Sequence, residues 1–143
     1  KELKHMTVVL HDGREFKGTL MKIDHHRDLA LVDIDGRFAC FVSMADSRNL
    51  LGMGEYVFSV GCPINRGGTV YPGFVNGPPR LVEGLPLWQV HMEIQPGSSG
   101  SPVFDSAGNL GASVKGRYRG TDSVGFLIPI ETIVEFSKKT EPR

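Results

Sequence analysis

"MTVVLHDGREFKGTLMKID", Met6 to Asp24, alternates apolar and polar residues on either side of a Gly13-Arg14 turn. Successive side chains of a strand point to opposite faces of a sheet, so a period of two on both arms predicts an antiparallel hairpin. "LALVDID", Leu29 to Asp35, predicts a third strand. The stretches "YVFSVGC" (Tyr56 to Cys62), "GTVYPGFVNGP" (Gly68 to Pro78), "LWQVHMEIQ" (Leu87 to Gln95), "SPVFDSAGNLGASVKGRY" (Ser101 to Tyr118) and "SVGFLIPI" (Ser123 to Ile130) read the same way. Each is bounded by Gly, Pro or Asn, the residues that interrupt regular structure. Within the fourth, "DSAGN" (Asp105 to Asn109) predicts a hairpin turn with glycine where a positive φ is needed. Between Gly36 and Glu55 alternation fails, and we expect one more short strand plus a connection. Only "IETIVEFSKKT", from Ile130, spaces its apolar residues as a helix does. Many short strands and one terminal helix predict an all-β barrel or sandwich.

Composition narrows the partners. The 143 residues are 40% hydrophobic and 22% charged with formal net charge zero, as expected of one ordinary globular chain. The most basic cluster is "KGRYRG", Lys115 to Gly120, which reads as a solvated hairpin face, and no nucleic-acid partner is expected. No apolar run approaches the ~20 residues that span a bilayer, and no signal-peptide pattern opens the chain, so membrane insertion is not expected. Cys40 and Cys62 lack metal-ligand spacing and read as small buried hydrophobes.

Two stretches bear on chemistry. In "QPGSSGSPVF", Gln95 to Phe104, glycines bracket Ser98 and Ser99. Glycine allows such a loop to turn successive N–H groups to one side, as an oxyanion hole requires. The same composition also suits a plain turn. In "HHRDLALVDID" (His25 to Asp35), Asp28 stands at the entrance of an apolar strand, where a carboxylate can grip an imidazole. It also suits a turn residue with Asp24, His25, His26 and Arg27 as polar neighbours. A metal site from Asp24, His25, His26 and Asp28 is disfavoured, because adjacent strand residues face opposite ways. A nucleophilic serine needs a base and a group to orient that base.

Taken in order, these stretches resemble the HtrA/Deg branch of trypsin-like serine proteases. The DGR turn and the D-L-A-L segment, "LLGMGEYVFSVGCPINRGGTVYPGFVNG", "QVHMEIQPGSSGSPVFDSAGNLGASV" and "SVGFLIPIETI" follow the family's sequence of motifs over nearly the whole chain. The resemblance implies a chymotrypsin-like double six-stranded β-barrel. Residues 1–45 would be the remainder of an N-terminally incomplete first barrel, 46–55 the inter-barrel connection, 56–130 the second barrel and 131–143 the C-terminal helix and tail. Ser99 resembles the nucleophile and Asp28 the triad carboxylate. The N–H groups of Gly97, Ser98 and Ser99 resemble the oxyanion hole, and Val124, Gly125 and Phe126 the wall of the primary specificity pocket. An α/β-hydrolase elbow is excluded, since it wants glycine where Ser101 stands and a carboxylate that follows the serine.

The chain departs from the pattern in three respects. In register the family's base histidine falls upstream of Lys1, and none of His5, His11, His25, His26 and His91 has its context, which favours a fragment of a longer enzyme. Glu93 occupies the position that floors the primary pocket in trypsin-like proteases, and so implies acceptance of Lys or Arg before the scissile bond. Ser98, Ser101 and His91 replace the usual Asn, Gly and Asp, and Ser98 cannot form the charge pair by which a new N-terminus activates digestive zymogens. The expected activity is endopeptidase action on peptide or unfolded protein substrates, without metal or organic cofactor. The resemblance further implies an extracytoplasmic location and a homotrimer. The competing reading is a noncatalytic peptide-binding or chaperone-like module; a purely structural β-domain is more distant.

Overall fold

Antiparallel pairing accounts for nearly all of the regular structure. The computed structural model describes residues 4–61, 68–117, 119–121 and 123–138, and the chain divides into a unit built on Lys1–Val42 and a second, Ser43–Lys138.

In the first unit, β1 (His5–Val9), β2 (Glu15–Asp24) and β3 (Leu29–Ile34) form a three-stranded sheet in that order. The hairpin turn is set by Gly13 at φ 85 and by Asp12, whose carboxylate accepts the N–H of Arg14 at 3.1 Å and its Nε at 2.8 Å. Gly18 in the central strand lies so close to its neighbours that a Cβ would approach methyls of Val8 and Val32 to 2.9 Å. Phe16 and Phe38 meet edge to face, with ring centroids 5.0 Å apart. Met6, Val9, Met21, Ile23 and Leu31 remain exposed on this sheet.

The second unit comprises β4 (Tyr56–Gly61), β5 (Thr69–Val75), β6 (Arg80–Val82), β7 (Leu85–Met92), β8 (Pro102–Asp105), β9 (Leu110–Arg117), β10 (Val124–Pro129) and α1 (Ile130–Ser137). The order β10-β9-β8-β4-β5-β7, with β7 pairing back to β10, closes a six-stranded barrel; β6 adds to β7 as a hairpin. The all-β expectation with one terminal helix therefore holds. Val57, Val75, Val90, Val103, Val114 and Leu127 fill the interior from alternate strand positions. Leu51, from the segment before β4, joins this core so tightly that a Cβ on Gly111 would lie 2.8 Å from its Cδ2. The predicted "DSAGN" turn joins β8 to β9, with Gly108 at φ 84.

Two expectations need correction. No strand forms between Gly36 and Glu55: Phe41 and Val42 are 77% and 51% exposed, and with no neighbouring strand to pair with, the segment runs as bends and turns. Cys40 lies in that stretch and is exposed rather than buried. Cys62 and residues 139–143, the expected tail, lie outside the described residues.

The connection is instead held by charge. Arg48 bonds Glu55 at 2.6 Å and Asp105 at 3.2 Å, while Asp105 also accepts the N–H groups of Ala107 and Asn109. Burial alone would raise the Asp105 pKa, but donors from Asn109, Arg48 and Ala107 outweigh it and hold the carboxyl below its ordinary value. A depressed native pKa contributes stability above the unfolded value, and that stability is lost as pH falls through the native one. Asp105→Asn is therefore expected to cost about 1–3 kcal/mol near neutrality. Below about pH 4 its unfolding midpoint should change less steeply than that of the wild type, as urea denaturation between pH 6 and 2 will show.

Candidate active site

The serine loop is a turn with a defined hand. Gln95 O accepts the Ser98 N–H at 3.0 Å, Pro96 and Gly97 sit between them, and Gly97 has φ 91. Proline fixes φ at the first central position, and a positive φ at the second is the mark of a type II turn. A type I turn over the same residues would rotate the Pro96–Gly97 peptide and reverse the Gly97 N–H, so the glycine sets where that donor points. Gly100, at φ 89, turns the chain again, and its N–H bonds Val114 O at 2.8 Å. Ser98 and Ser99 are thus bracketed by two glycines in conformations closed to most residues.

Hydrogen bonding sorts the three candidate oxyanion donors. The Ser98 N–H is used by Gln95, whereas among the described residues the N–H groups of Gly97 and Ser99 have no acceptor. Two N–H groups without a protein acceptor thus remain in the loop that carries the Ser99 hydroxyl, and an oxyanion hole needs such free donors. Ser99 is exposed and its Oγ donates to Lys115 O at 2.8 Å. Ser98 is 4% exposed, and among the described residues its Oγ has no hydrogen-bond partner.

β10 pairs with β9, the strand whose Lys115 O accepts the Ser99 hydroxyl. Gly125 pairs with Val90 of β7 and Arg117 of β9, and a Cβ on it would overlap Ile94 Cδ1 and lie 3.0 Å from Gly116 O. Only glycine lets Ile94 pack there. Val124 and Phe126 flank Gly125 on the same strand, half-buried. Glu93 is exposed, and its carboxylate accepts Gln95 Nε2.

Asp28 belongs to the first unit, between β2 and β3. Its φ of 57 is unusual for a residue with a side chain, although Asp tolerates it better than most. The turn that presents it is organised by Asp24, whose carboxylate accepts the Arg27 N–H at 2.9 Å and Arg27 Nη1 at 3.0 Å. The Arg27 backbone N–H first, and its guanidinium after it, keep Asp24 below its ordinary pKa against the opposing effect of burial. Among the described residues no three His, Cys, Asp or Glu side chains are grouped as metal ligands, and no histidine hydrogen-bonds Ser99. The His91 ring lies against Phe74, 5.1 Å between centroids.

Sequence reasoning passed over Lys115 O and Ile94, and saw Asp24 only as a polar neighbour or a disfavoured metal ligand. A carbonyl such as Lys115 O carries no side-chain signature. Ile94 was visible only as the inward partner of Met92 at an alternate position. The role of Asp24 in the turn could have been found from its position, since a short carboxylate readily accepts a backbone N–H a few residues on, here that of Arg27.

Residues 3–112 match the family described as "Trypsin-like peptidase domain". The chain is 30% identical, over 92% of its length, to a "Probable periplasmic serine endoprotease DegP-like" of Pseudomonas putida. It spans about a third of the length of the curated relatives it matches. Among solved structures it superposes on the serine endoprotease from Yersinia pestis with TM-score 0.81 at 24% identity, covering 92% of this chain and 47% of that one. It also superposes on the "HtrA-type protease AlgW with decapeptide" with TM-score 0.72 at 28% identity, covering 92% of this chain and 44% of that one.

Proposed function

This chain belongs to the trypsin-like peptidase family, as a serine protease domain of HtrA type, and we propose that it contributes Ser99 and Asp28 to a Ser-His-Asp triad that hydrolyses peptide bonds. The single observation that carries the reading is the serine loop, which combines an exposed Ser99 with N–H groups of Gly97 and Ser99 that have no acceptor among the described residues.

Ser99 Oγ attacks the carbonyl carbon of the scissile bond, and its proton passes to a histidine lying before Lys1 in the full-length polypeptide. That base must compete with Lys115 O for the hydroxyl hydrogen. The carbonyl oxygen, now anionic, accepts from Gly97 and Ser99; removing one such donor in known enzymes costs about 10²–10³ in rate. Collapse of the intermediate expels the amine, which takes the proton from the imidazolium, and water then hydrolyses the acyl-serine by the same route. Asp28 accepts from the second ring nitrogen of the histidine and fixes its tautomer. Val124, Gly125 and Phe126, with Ile94 laid across Gly125, form an apolar pocket wall for the residue before the scissile bond. Glu93 supplies the charge that admits Lys or Arg there.

The substrates are peptides or unfolded proteins. An extracytoplasmic location agrees with the periplasmic relatives, and a homotrimer follows from the family resemblance alone. A fluorophosphonate probe tests the reading: mass spectrometry of the treated full-length polypeptide should find the adduct on Ser99. A folded protein that stays unlabelled would overturn the peptidase reading in favour of a peptide-binding module.

A further inference from the structure

The basic run "KGRYRG" is not used by the proposed chemistry, yet the structure puts its first residue against the nucleophile. Lys115 O accepts the Ser99 hydroxyl at 2.8 Å. Pairing of β8 with β9 ends at Pro102 opposite Ser113, so from Lys115 to Arg117 β9 has no strand partner on its β8 side among the described residues. An extended peptide reaching Ser99 can lie along that edge. Farther out, Arg117, Arg119, Gly120 and Thr121 line a hollow of about 390 Å³, with Arg119 exposed. A chain of four residues spans at most ~14 Å, so the segment between Lys115 and Arg119 can run beside about four residues of an extended substrate.

We propose that Lys115 and Arg119 form a cationic rim beside Ser99 that selects peptide substrates carrying Asp or Glu within about four residues of the scissile bond. The inference rests on the reading of Ser99 as the nucleophile. The Arg119 guanidinium pairs a carboxylate in a two-pronged geometry that lysine lacks, and Lys115, four residues away, adds a second cation nearer Ser99. Overall charge plays no part, because the chain is neutral. Glu93 opposes the rim at one place: an acid immediately before the scissile bond meets its carboxylate, so the preference is positional. Asp122 follows the run in sequence, outside the described residues.

The test is a peptide set in which one Glu is walked through the four positions on each side of the scissile bond, with Gln at the same place as control. It is assayed on the full-length polypeptide by cleavage and, with Ser99→Ala, by fluorescence anisotropy. Exposed ion pairs are each worth a small factor, so Glu should exceed Gln by about 5–10-fold at its best position. It should bring no gain immediately before the bond, and the advantage should shrink between about 0.05 and 0.5 M salt. Lys115→Gln with Arg119→Gln should bring the Glu-to-Gln ratio to about one; Arg119→Gln alone, at an exposed site, gives the same direction should the double variant fold poorly. Equal handling of Glu and Gln by the wild type, or a ratio unchanged in both variants, overturns the rim. If Ser99 takes no fluorophosphonate and nothing is cleaved, the peptidase reading fails, and the anisotropy ratio still decides the rim by itself.

Discussion

Replacing Ser99 by alanine in the full-length polypeptide is expected to lower peptide hydrolysis by about a millionfold while leaving the unfolding midpoint nearly in place. The first number follows from nucleophile removal in serine proteases of another fold, where only oxyanion and binding effects survive. The second follows from what the hydroxyl does in the folded chain. Ser99 is exposed and makes one side-chain bond, to Lys115 O, so its loss costs about 1 kcal/mol or less. The glycines that shape the loop remain, and so do the bonds from Ser98 to Gln95 and from Gly100 to Val114. Kinetics on a peptide substrate and thermal unfolding measured together separate the two roles. A variant that loses activity because it unfolds would mark the loop as structural, and one that keeps activity would remove Ser99 from the mechanism.

Asp28→Asn should cost about 10⁴ in kcat with little change in KM, because an amide can no longer accept from the histidine in the tautomer that leaves its other nitrogen free for Ser99. The substitution is chosen for the backbone as well as for the charge. Asp28 has φ 57, a conformation that Asn adopts readily and a β-branched residue does not. The fold of the turn is guarded by Asp24 and Arg27, which the variant leaves alone. Equal loss of kcat and of kcat/KM identifies a group needed in the transition state; a rise in KM alone would make Asp28 a binding residue.

Much of the strand structure was legible because it obeys short-range rules. The Met6 to Asp24 hairpin and the "DSAGN" turn carry their own alternation and glycines, and both form where the pattern predicts them. The serine loop was legible as composition, since Pro96, Gly97 and Gly100 restrict the backbone to few shapes. What was missed depends on distant partners. Leu51 reads as part of a Gly- and Asn-rich connection, and only the space above Gly111 shows that it is core. Phe41 and Val42 have the composition of a strand but no neighbour to pair with, so pattern alone misled. β6 escaped notice because its three residues are too few to show a period. Its turn was nevertheless readable: Glu83 and Gly84, at φ 51 and 80, form the two-residue hairpin connection that Gly in second place signals. Lys115 O was invisible in principle, because every residue has a carbonyl and only the folded β9 aims this one at Ser99.

The most direct measurement is the rate at which fluorophosphonate labels Ser99 in the full-length polypeptide as a function of pH, in the wild type and in Asp28→Asn. If a histidine held by Asp28 activates the hydroxyl, the wild-type rate rises through a single step near pH 7, and the variant is slower by at least ~10²-fold at the plateau. Indistinguishable profiles, or a rate in both that climbs only with hydroxide, would contradict the triad.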